Sequence, residues 1–147
     1  MEPDQQDQQD FPIRESVEDA LGRQISFLIT SHPVGLGYTL TASEEGKEGM
    51  GYEFSAFSET SPYNALFNLR DKMHRSLAMR HITRRGSRYQ MLHDTIRGRI
   101  TWSQENGLAL IVDGIPLDLD DLREILETHE GWQFRLEIAD PSRDISR

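Results

Sequence analysis

The strongest constraint on the fold is the alternation of apolar and polar side chains between Gln24 and Ser58. Apolar residues fall at every second position in three short runs, and glycine-containing stretches separate these runs. A period of two places every second side chain on one face of a β-strand. Short connections between consecutive strands favour antiparallel pairing. The pattern therefore predicts a three-stranded antiparallel meander, whose first strand ends at His32-Pro33.

A helix is predicted to follow this meander directly. Ser61-Pro62 is a favourable helix start, because serine can cap the first free amides and proline is tolerated in the first turn. Apolar residues then recur at helical spacing, which predicts a helix to about His81. A shorter helix, capped by Ser16, is predicted over Pro12 to Leu21. The apolar positions of the longer helix are Leu66, Leu69, Met73 and Leu77.

Two hairpins are predicted in the second half of the chain. Residues 97–102 and 108–112 have strand-like patterns, and Asn106-Gly107 between them suits a tight turn. Asp113-Gly114 is a second such turn, followed by a short segment to Leu117. Residues 89–96 fit either a short helix or a strand.

The chain is predicted to close with a helix and a strand. Asp118 or Asp120 can cap a helix that ends near Gly131. Residues 132–138 then alternate apolar with polar side chains and form the clearest predicted strand of the chain. The expected class is α+β: an antiparallel meander plus helix, followed by a second β-β-α-β unit. The predicted division is a disordered acidic, Gln-rich tail (1–12), a first unit (13–86), a second unit (87–140) packed with it as one compact body, and a frayed tail (141–147).

Several functional classes are excluded by what the sequence lacks. It contains no cysteine, so disulfides, thiolate metal sites and cysteine nucleophiles are impossible. The N-terminus is acidic where a secretory signal needs basic residues before an apolar run. No stretch approaches the roughly 20 apolar residues that span a bilayer. We therefore expect a cytoplasmic protein without a membrane partner.

Charge is distributed unevenly along the chain. The formal net charge is −9, yet residues 70–99 contain nine basic residues and two acidic ones. That segment carries +7, so the rest of the chain carries −16. Five arginines are candidates for contact with a partner or with nucleic acid: Arg70, Arg80, Arg84, Arg85 and Arg88.

Two interpretations of this basic segment compete. Its arginines could follow a phosphate backbone, with Tyr89 and nearby histidines available for stacking. Alternatively, they neutralise the acidic helix predicted over residues 118–130, within the chain or across a dimer. We favour the second, because a phosphate-binding surface would work against the negative charge elsewhere.

No catalytic or metal-binding pattern is present, and no cofactor is expected. The five histidines lack ligand spacing; His74 and His81 would share a helix face two turns apart, too distant for one ion. The aspartates from Asp113 to Asp121 lack the frame of a calcium loop. No serine lies in a nucleophile elbow, and no phosphate-binding loop is found. An unrecognised enzyme would need a deep pocket around Glu53, His74 or Asp94.

The last third of the chain resembles the C-terminal pattern of an uncharacterised family of small bacterial proteins. The matching residues run from Leu110-Ile-Val-Asp-Gly to Glu130-Gly-Trp-Gln-Phe-Arg-Leu-Glu-Ile-Ala-Asp140. The resemblance implies a bacterial origin and supplies no activity.

Residues Ile25 to Leu77 resemble, more weakly, the β-β-β-α unit of HicB-like antitoxins, in which Gly51 to Ser58 would be the third strand. The usual proline- and glycine-rich turn before the helix is absent, and no DNA-binding segment follows.

These observations lead to one preferred function and one alternative. The preferred function is a non-catalytic bacterial interaction protein that binds another protein or itself. The alternative is a nucleic-acid-binding module that uses residues 70–99, on the pattern of an antitoxin. They differ in the expected salt dependence of binding, which is steep for phosphate contacts.

Overall fold

A computed structural model describes residues 10–105 and 107–145 of the chain. The predicted tail over residues 1–12 lies largely outside this part. The described chain divides into two compact units. Unit 1 combines residues up to 49 with 53–79 and the segment from 139 onward, and unit 2 combines residues 50–52 with 80–138. The division predicted after residue 86 falls between two strands that pair with each other.

Unit 1 contains a four-stranded antiparallel sheet in the order β1-β2-β3-β4. The predicted three-stranded meander is confirmed, since β2, β3 and β4 pair in sequence. The prediction of a helix over Pro12 to Leu21 was wrong. Residues 13–18 pair with β2 instead, and this strand buries Val17. The strands are β1 (Ile13–Glu18), β2 (Gln24–Val34), β3 (Gly37–Glu44) and β4 (Glu53–Ser58).

Strand β2 continues beyond the predicted stop at Pro33 to Val34. Proline is tolerated there because β1 pairs with β2 only as far as Ile29, which leaves no ladder bond on that side to be lost. A two-residue turn then leads into β3, and Gly35 adopts a φ of 57° in it. Positive φ favours glycine at that position.

Helix α1 (Pro62–Leu77) covers one face of this sheet. Its predicted start is confirmed: the Ser61 hydroxyl accepts a hydrogen bond from the Tyr63 amide at 3.0 Å. The apolar side chains at the predicted helical spacing are buried against the sheet. The helix ends at Leu77, before the predicted end at His81. The fully buried core of unit 1 includes Phe27, Ile29, Leu40, Leu69, Met73 and Leu77.

Unit 2 contains a two-stranded hairpin, a three-stranded antiparallel sheet and one helix. The predicted Asp113-Gly114 turn is confirmed, with φ values of 54° and 74° between the paired residues Val112 and Ile115. These are the angles of a tight hairpin turn. The elements are β5 (Ile82–Arg85), β6 (Arg88–Met91), β7 (Arg99–Ser103), β8 (Gly107–Val112), β9 (Ile115–Leu117) and α2 (Leu119–Glu127).

Helix α2 begins with a capping box. Asp118 accepts a hydrogen bond from the Asp121 amide at 2.8 Å, and the Asp121 carboxylate accepts one from the Asp118 amide at 3.1 Å. Of the two predicted caps, Asp118 is therefore the one used. Ile125 is the buried residue of this helix. It joins Ile82, Val112 and Leu117 in a core cluster of four buried side chains.

Residues 132–140, which contain the clearest predicted strand, form no strand in the structure. Their alternation of apolar and polar residues is that of a strand, but no sheet of the described chain pairs with them. A strand exists only through its ladder of hydrogen bonds to a neighbour, so an alternating pattern alone does not create one. The α+β class is confirmed, and the final strand of the predicted β-β-α-β unit is not formed.

None of the helices in the described part of the chain is both long and apolar enough to cross a membrane.

Candidate functional site

The β5–β6 hairpin brings three of the five candidate arginines together. Arg85 lies opposite Arg88 at the last pair before the turn, and Arg84 lies opposite Tyr89. The Arg84 guanidinium carbon is 5.6 Å from the centre of the Tyr89 ring, within cation–π range. All three arginines are exposed. Among the described residues, no ion pair engages them.

Gly86 makes this clustering possible, because it adopts a φ of 61° in the two-residue turn. The Arg84 Nε also donates a hydrogen bond to the Gly86 carbonyl at 3.0 Å, which holds that side chain along the hairpin. The tip therefore presents a compact positive surface on a narrow β-ribbon.

The other two candidates are engaged within their own units. Arg70, on α1 of unit 1, donates to Glu15 with Nε at 2.9 Å and a terminal nitrogen at 2.8 Å. Arg80, in unit 2, is largely buried and lies 3.7 Å from the Asp113 carboxylate. Neither arginine therefore belongs to the β5–β6 hairpin tip.

The Asp113 carboxylate is the most heavily hydrogen-bonded buried group of unit 2. The backbone amides of His81 and Ile82 donate to its Oδ2 at 2.8 and 3.0 Å. The His81 ring nitrogen Nδ1 lies 2.9 Å from Oδ1. Asp113 thus connects the β8–β9 turn to the first residues of β5. These hydrogen bonds attach the start of the β5–β6 hairpin to the three-stranded sheet.

Opposing effects act on the pKa of Asp113. Burial by itself raises the pKa, but the hydrogen bonds from His81 and the two amides, together with the Arg80 charge, lower it overall. The side chain is therefore a carboxylate at neutral pH. Because a carboxylate only accepts hydrogen bonds, the proton between it and His81 resides on Nδ1.

This aspartate–histidine pair has the chemistry of a triad but lacks its third member. The second ring nitrogen of a triad histidine faces a nucleophile. His81 Nε2 is buried and has no hydrogen-bond partner in the described part of the chain. His81 also lies outside α1, so its predicted place on one helix face with His74 was wrong.

The residues named for an unrecognised enzyme are divided between the two units. Glu53 lies on β4, where it accepts a hydrogen bond from Ser43, and His74 is exposed on α1 of the same unit. Asp94 is exposed in a loop of unit 2. In the described ranges, no group of three or more histidines and acids is placed to hold a metal ion. A surface concavity of unit 2 is lined by Gly107, Leu108, Asp118, Leu119 and Asp120.

The acids of α2 interact within their own helix. Arg123 lies 3.6 Å from Asp120 and 3.9 Å from Glu127. Among the described residues, no ion pair joins the acids of α2 to the arginines of the hairpin tip. Neutralisation of the hairpin arginines by the acids of α2 across a dimer stays a prediction.

Unit 2 exposes an apolar surface that is large for its size. Six apolar residues of its described part are buried, while ten large apolar side chains are exposed. Side chains of Ile100 and Trp102 on β7 share one face of the sheet with Leu108 on β8, because these strands pair in register. The other exposed members are Leu92, Leu119, Leu126, Trp132, Phe134, Leu136 and Ile138.

The apolar residues of the segment 132–138 are the most exposed part of this surface. Trp132, Phe134, Leu136 and Ile138 are between 69 and 89% exposed. At one end, the Trp132 ring contacts His129 edge-on at 5.2 Å, just after α2. The segment therefore begins at a defined place in unit 2.

Lys72 makes contacts within unit 1 that sequence reasoning missed. Its Nζ donates to the carbonyls of Ser55, Pro141 and Arg143 at 3.1, 2.8 and 2.9 Å, all within unit 1. Burial lowers the pKa of Lys72, an effect that Asp144 opposes. Arg75, one helical turn further, pairs with Asp144. The one signal in the sequence was the position of Lys72 beside the apolar face of the predicted helix.

Comparison with known families assigns each half of the chain separately. Residues 9–78 match the family model "Domain of unknown function (DUF7686)", and residues 78–143 match "Domain of unknown function (DUF7713)". The chain is therefore similar to two domains of unknown function, one in each half. The DUF7713 match contains the hairpin, the Asp113 cluster and the exposed segment. No curated protein and no solved structure matches the chain.

Proposed function

We propose that this chain is a non-catalytic bacterial interaction protein of the cytoplasm, which binds another protein or itself through the apolar surface of its DUF7713 region. The observation that supports this is that the described part of unit 2 exposes ten large apolar side chains, against six buried apolar residues. A large exposed apolar surface on a small domain is typical of a protein–protein contact. Aromatic residues, such as Trp102, Trp132 and Phe134, are enriched at the centres of such contacts.

Affinity capture from bacterial lysate, combined with light scattering of the purified full chain, tests this function. The wild-type chain is compared with Phe134→Asp, which places a charge on the most exposed residue of the segment. Leu36→Asp is the matched control, because Leu36 is 98% exposed but lies in a turn of unit 1. We expect association or capture by the wild type and by the control, and loss of it in Phe134→Asp. A monomer that captures nothing at low salt would contradict the proposal.

A second candidate function is nucleic-acid binding by the hairpin tip, on the pattern of an antitoxin. It is favoured by the exposed cluster of Arg84, Arg85 and Arg88 on a two-stranded ribbon, since a groove of DNA admits such a ribbon. Phosphate contacts release counterions, so the affinity should fall steeply as salt rises.

Fluorescence anisotropy with single- and double-stranded probes at low salt tests this second function. Arg88→Ala should weaken binding and reduce the salt slope by about one phosphate contact. Arg123→Ala is the matched control, because Arg123 is an exposed arginine of the same unit outside the hairpin. Equal effects of both variants would indicate nonspecific attraction, and no binding at low salt would eliminate the candidate.

A further inference from the structure

The β5–β6 hairpin has one covered face and one free face. Ile82, which is buried, lies opposite Met91. Two residues further along the ribbon, Arg84 lies opposite Tyr89 on the same face. Tyr89 and Met91 pack against the core cluster that contains Ile125 of α2, so this face is covered. The residues between them lie on the other face, called the outward face below: Thr83, Arg85, Arg88 and Gln90.

The outward face is polar, basic and unoccupied within the described part of the chain. Its four side chains are exposed, and none of them has a hydrogen bond or an ion pair to another described residue. Residues 82–91 contain three arginines and no acidic residue. A positive surface without an acidic neighbour on its own element suits a polyanionic partner.

We propose that the outward face of the β5–β6 hairpin enters the major groove of duplex DNA, where Gln90 reads a base edge and Arg85 and Arg88 hold the phosphates. This rests on the second candidate function, and it names the form of nucleic acid and the residue that reads it. Glutamine suits this role because its amide pairs with both N6 and N7 of adenine. Thr83, directly opposite Gln90, adds a hydroxyl and a methyl group that suit base edges.

The dimensions of the hairpin match those of the groove. The major groove is about 12 Å wide and admits a two-stranded ribbon, so its phosphates lie about 6 Å from its middle. The pair Arg85 and Arg88 is two residues from the pair Thr83 and Gln90, which is about 7 Å along the strands. A hairpin with Gln90 over the bases therefore brings both arginines to the phosphates at the rim.

The position of Tyr89 argues against single-stranded nucleic acid as the ligand. Proteins that bind single strands stack the bases on aromatic rings. Tyr89 is the one aromatic residue of residues 82–91, and it packs against the core cluster with the Arg84 guanidinium over its ring. An RNA duplex fits no better, because side chains cannot read its deep, narrow major groove. Duplex DNA is therefore the form of nucleic acid that this surface fits.

The acids of α2 do not occupy the outward face. This helix lies on the covered side of the hairpin, where its Ile125 contributes to the core cluster. Exposed charges more than about 8 Å apart are largely screened at physiological salt. The arginines of the hairpin therefore set the charge of the outward face, despite the −9 of the whole chain.

Selection from a randomised duplex DNA library, with the full-length chain, tests base reading. The wild type should enrich a short motif, and Gln90→Ala should reduce the preference at one position about tenfold without changing the salt slope. Gln104→Ala is the matched control, because Gln104 is an exposed glutamine of the same unit outside the hairpin, and it should keep the preference. Recovery of no motif, or equal effects of the two variants, would overturn base reading by Gln90.

Two neighbouring arginines test which face meets the DNA. Arg85 lies on the outward face and Arg84 on the covered face, although both are exposed. Arg85→Ala should weaken binding to all duplexes alike and lower the salt slope by about 0.9, the value for one phosphate contact. Arg84→Ala should lower it less. Equal losses, or a larger loss in Arg84→Ala, would overturn the assignment of the outward face.

Fluorescence anisotropy with four probes tests the choice of ligand. The full-length chain is titrated at low salt with the selected DNA duplex, the RNA duplex of the same sequence, the separated DNA strands and polyglutamate. We expect the DNA duplex to bind most tightly. Equal or tighter binding of either RNA duplex or single strands would overturn placement in the DNA major groove. Equal or tighter binding of polyglutamate would instead identify an acidic protein segment as the partner and overturn the DNA proposal.

These outcomes separate the inference from the functions proposed above. Duplex DNA bound without sequence preference overturns base reading, while the second candidate function stands. A chain that binds none of the nucleic acids overturns both. Neither result affects the capture assay with Phe134→Asp, because the outward face contains none of the exposed large apolar residues.

Discussion

Removal of the Asp113 carboxylate should destabilise unit 2 more than the substitution of any exposed residue of that unit. In Asp113→Ala, the buried amides of His81 and Ile82 lose their acceptor, and the His81 ring loses the partner of its Nδ1. Buried donors left unsatisfied cost about 1–3 kcal/mol each, and breaking a buried charged network costs about 3–5 kcal/mol in total.

That loss is comparable with the whole stability of the unit. A domain of about 60 residues has a free energy of unfolding of roughly 3–9 kcal/mol. Alanine also tolerates the positive φ of this turn less well than asparagine does. We therefore expect Asp113→Ala to leave unit 2 only marginally stable at room temperature. Asp113→Asn, which keeps one acceptor oxygen and the turn, should lose only about 1–2 kcal/mol.

Urea denaturation monitored by tryptophan fluorescence measures this effect. Both tryptophans of the chain, Trp102 and Trp132, belong to unit 2, so the signal reports that unit. Asp94→Ala is the matched control, because Asp94 is an exposed aspartate of the same unit, and it should change the stability by less than about 0.5 kcal/mol. A loss below about 1 kcal/mol in Asp113→Ala would refute the role given to its hydrogen bonds.

In the wild type, acid should remove the stabilisation that the Asp113 carboxylate gives to unit 2, because it protonates this group. The folded pKa of Asp113 is lowered, whereas an unfolded aspartate titrates near about 3.9. Below that value the unfolded chain binds the proton more readily, so stability falls as the pH drops towards the folded pKa. Asp113→Asn cannot be titrated there and should lose less stability between neutral pH and that range. Parallel acid unfolding curves for the two proteins would contradict this assignment.

Three further substitutions test the local structure. Gly114→Ala should destabilise unit 2 clearly more than Gly86→Ala in thermal denaturation, because both glycines have positive φ but only at Gly114 would a new Cβ lie 2.6 Å from the Tyr52 ring. Ser61→Ala should cost about 1 kcal/mol in urea denaturation followed by circular dichroism, since it removes the cap of α1. Lys72→Met should increase hydrogen exchange and proteolysis around residues 141–145, because three carbonyl contacts are lost.

Local chemistry explains which elements could be predicted from the sequence. The Ser61-Pro62 start and the Asp113-Gly114 turn each depend on a few neighbouring residues, so both were found where predicted. The alternation between Gln24 and Ser58 depends on one buried sheet face and identified three strands of unit 1. These features need no knowledge of distant parts of the chain.

The features that were missed depend on distant contacts. Residues 13–18 become a strand because β2 offers a free edge, and the local pattern around Val17 also fitted a helix. Asp113 was recognised as a turn residue, but its bonds to His81 join positions 32 residues apart. The same limit applies to the arginines: spacing along the chain could not separate Arg70 and Arg80, which have acidic neighbours, from the hairpin tip.

The segment 132–138 failed as a predicted strand for a different reason, and that reason has a functional consequence. Its alternation is regular, its apolar side chains are large, and it contains neither glycine nor proline, so nothing local opposes a strand. What it lacks is a neighbour, because in the described part of the chain neither edge strand of the β7-β8-β9 sheet pairs with it. Its apolar side chains at every second position are exposed in the described chain, and we propose that a binding partner covers them. This prediction error is therefore an argument for the proposed interaction function.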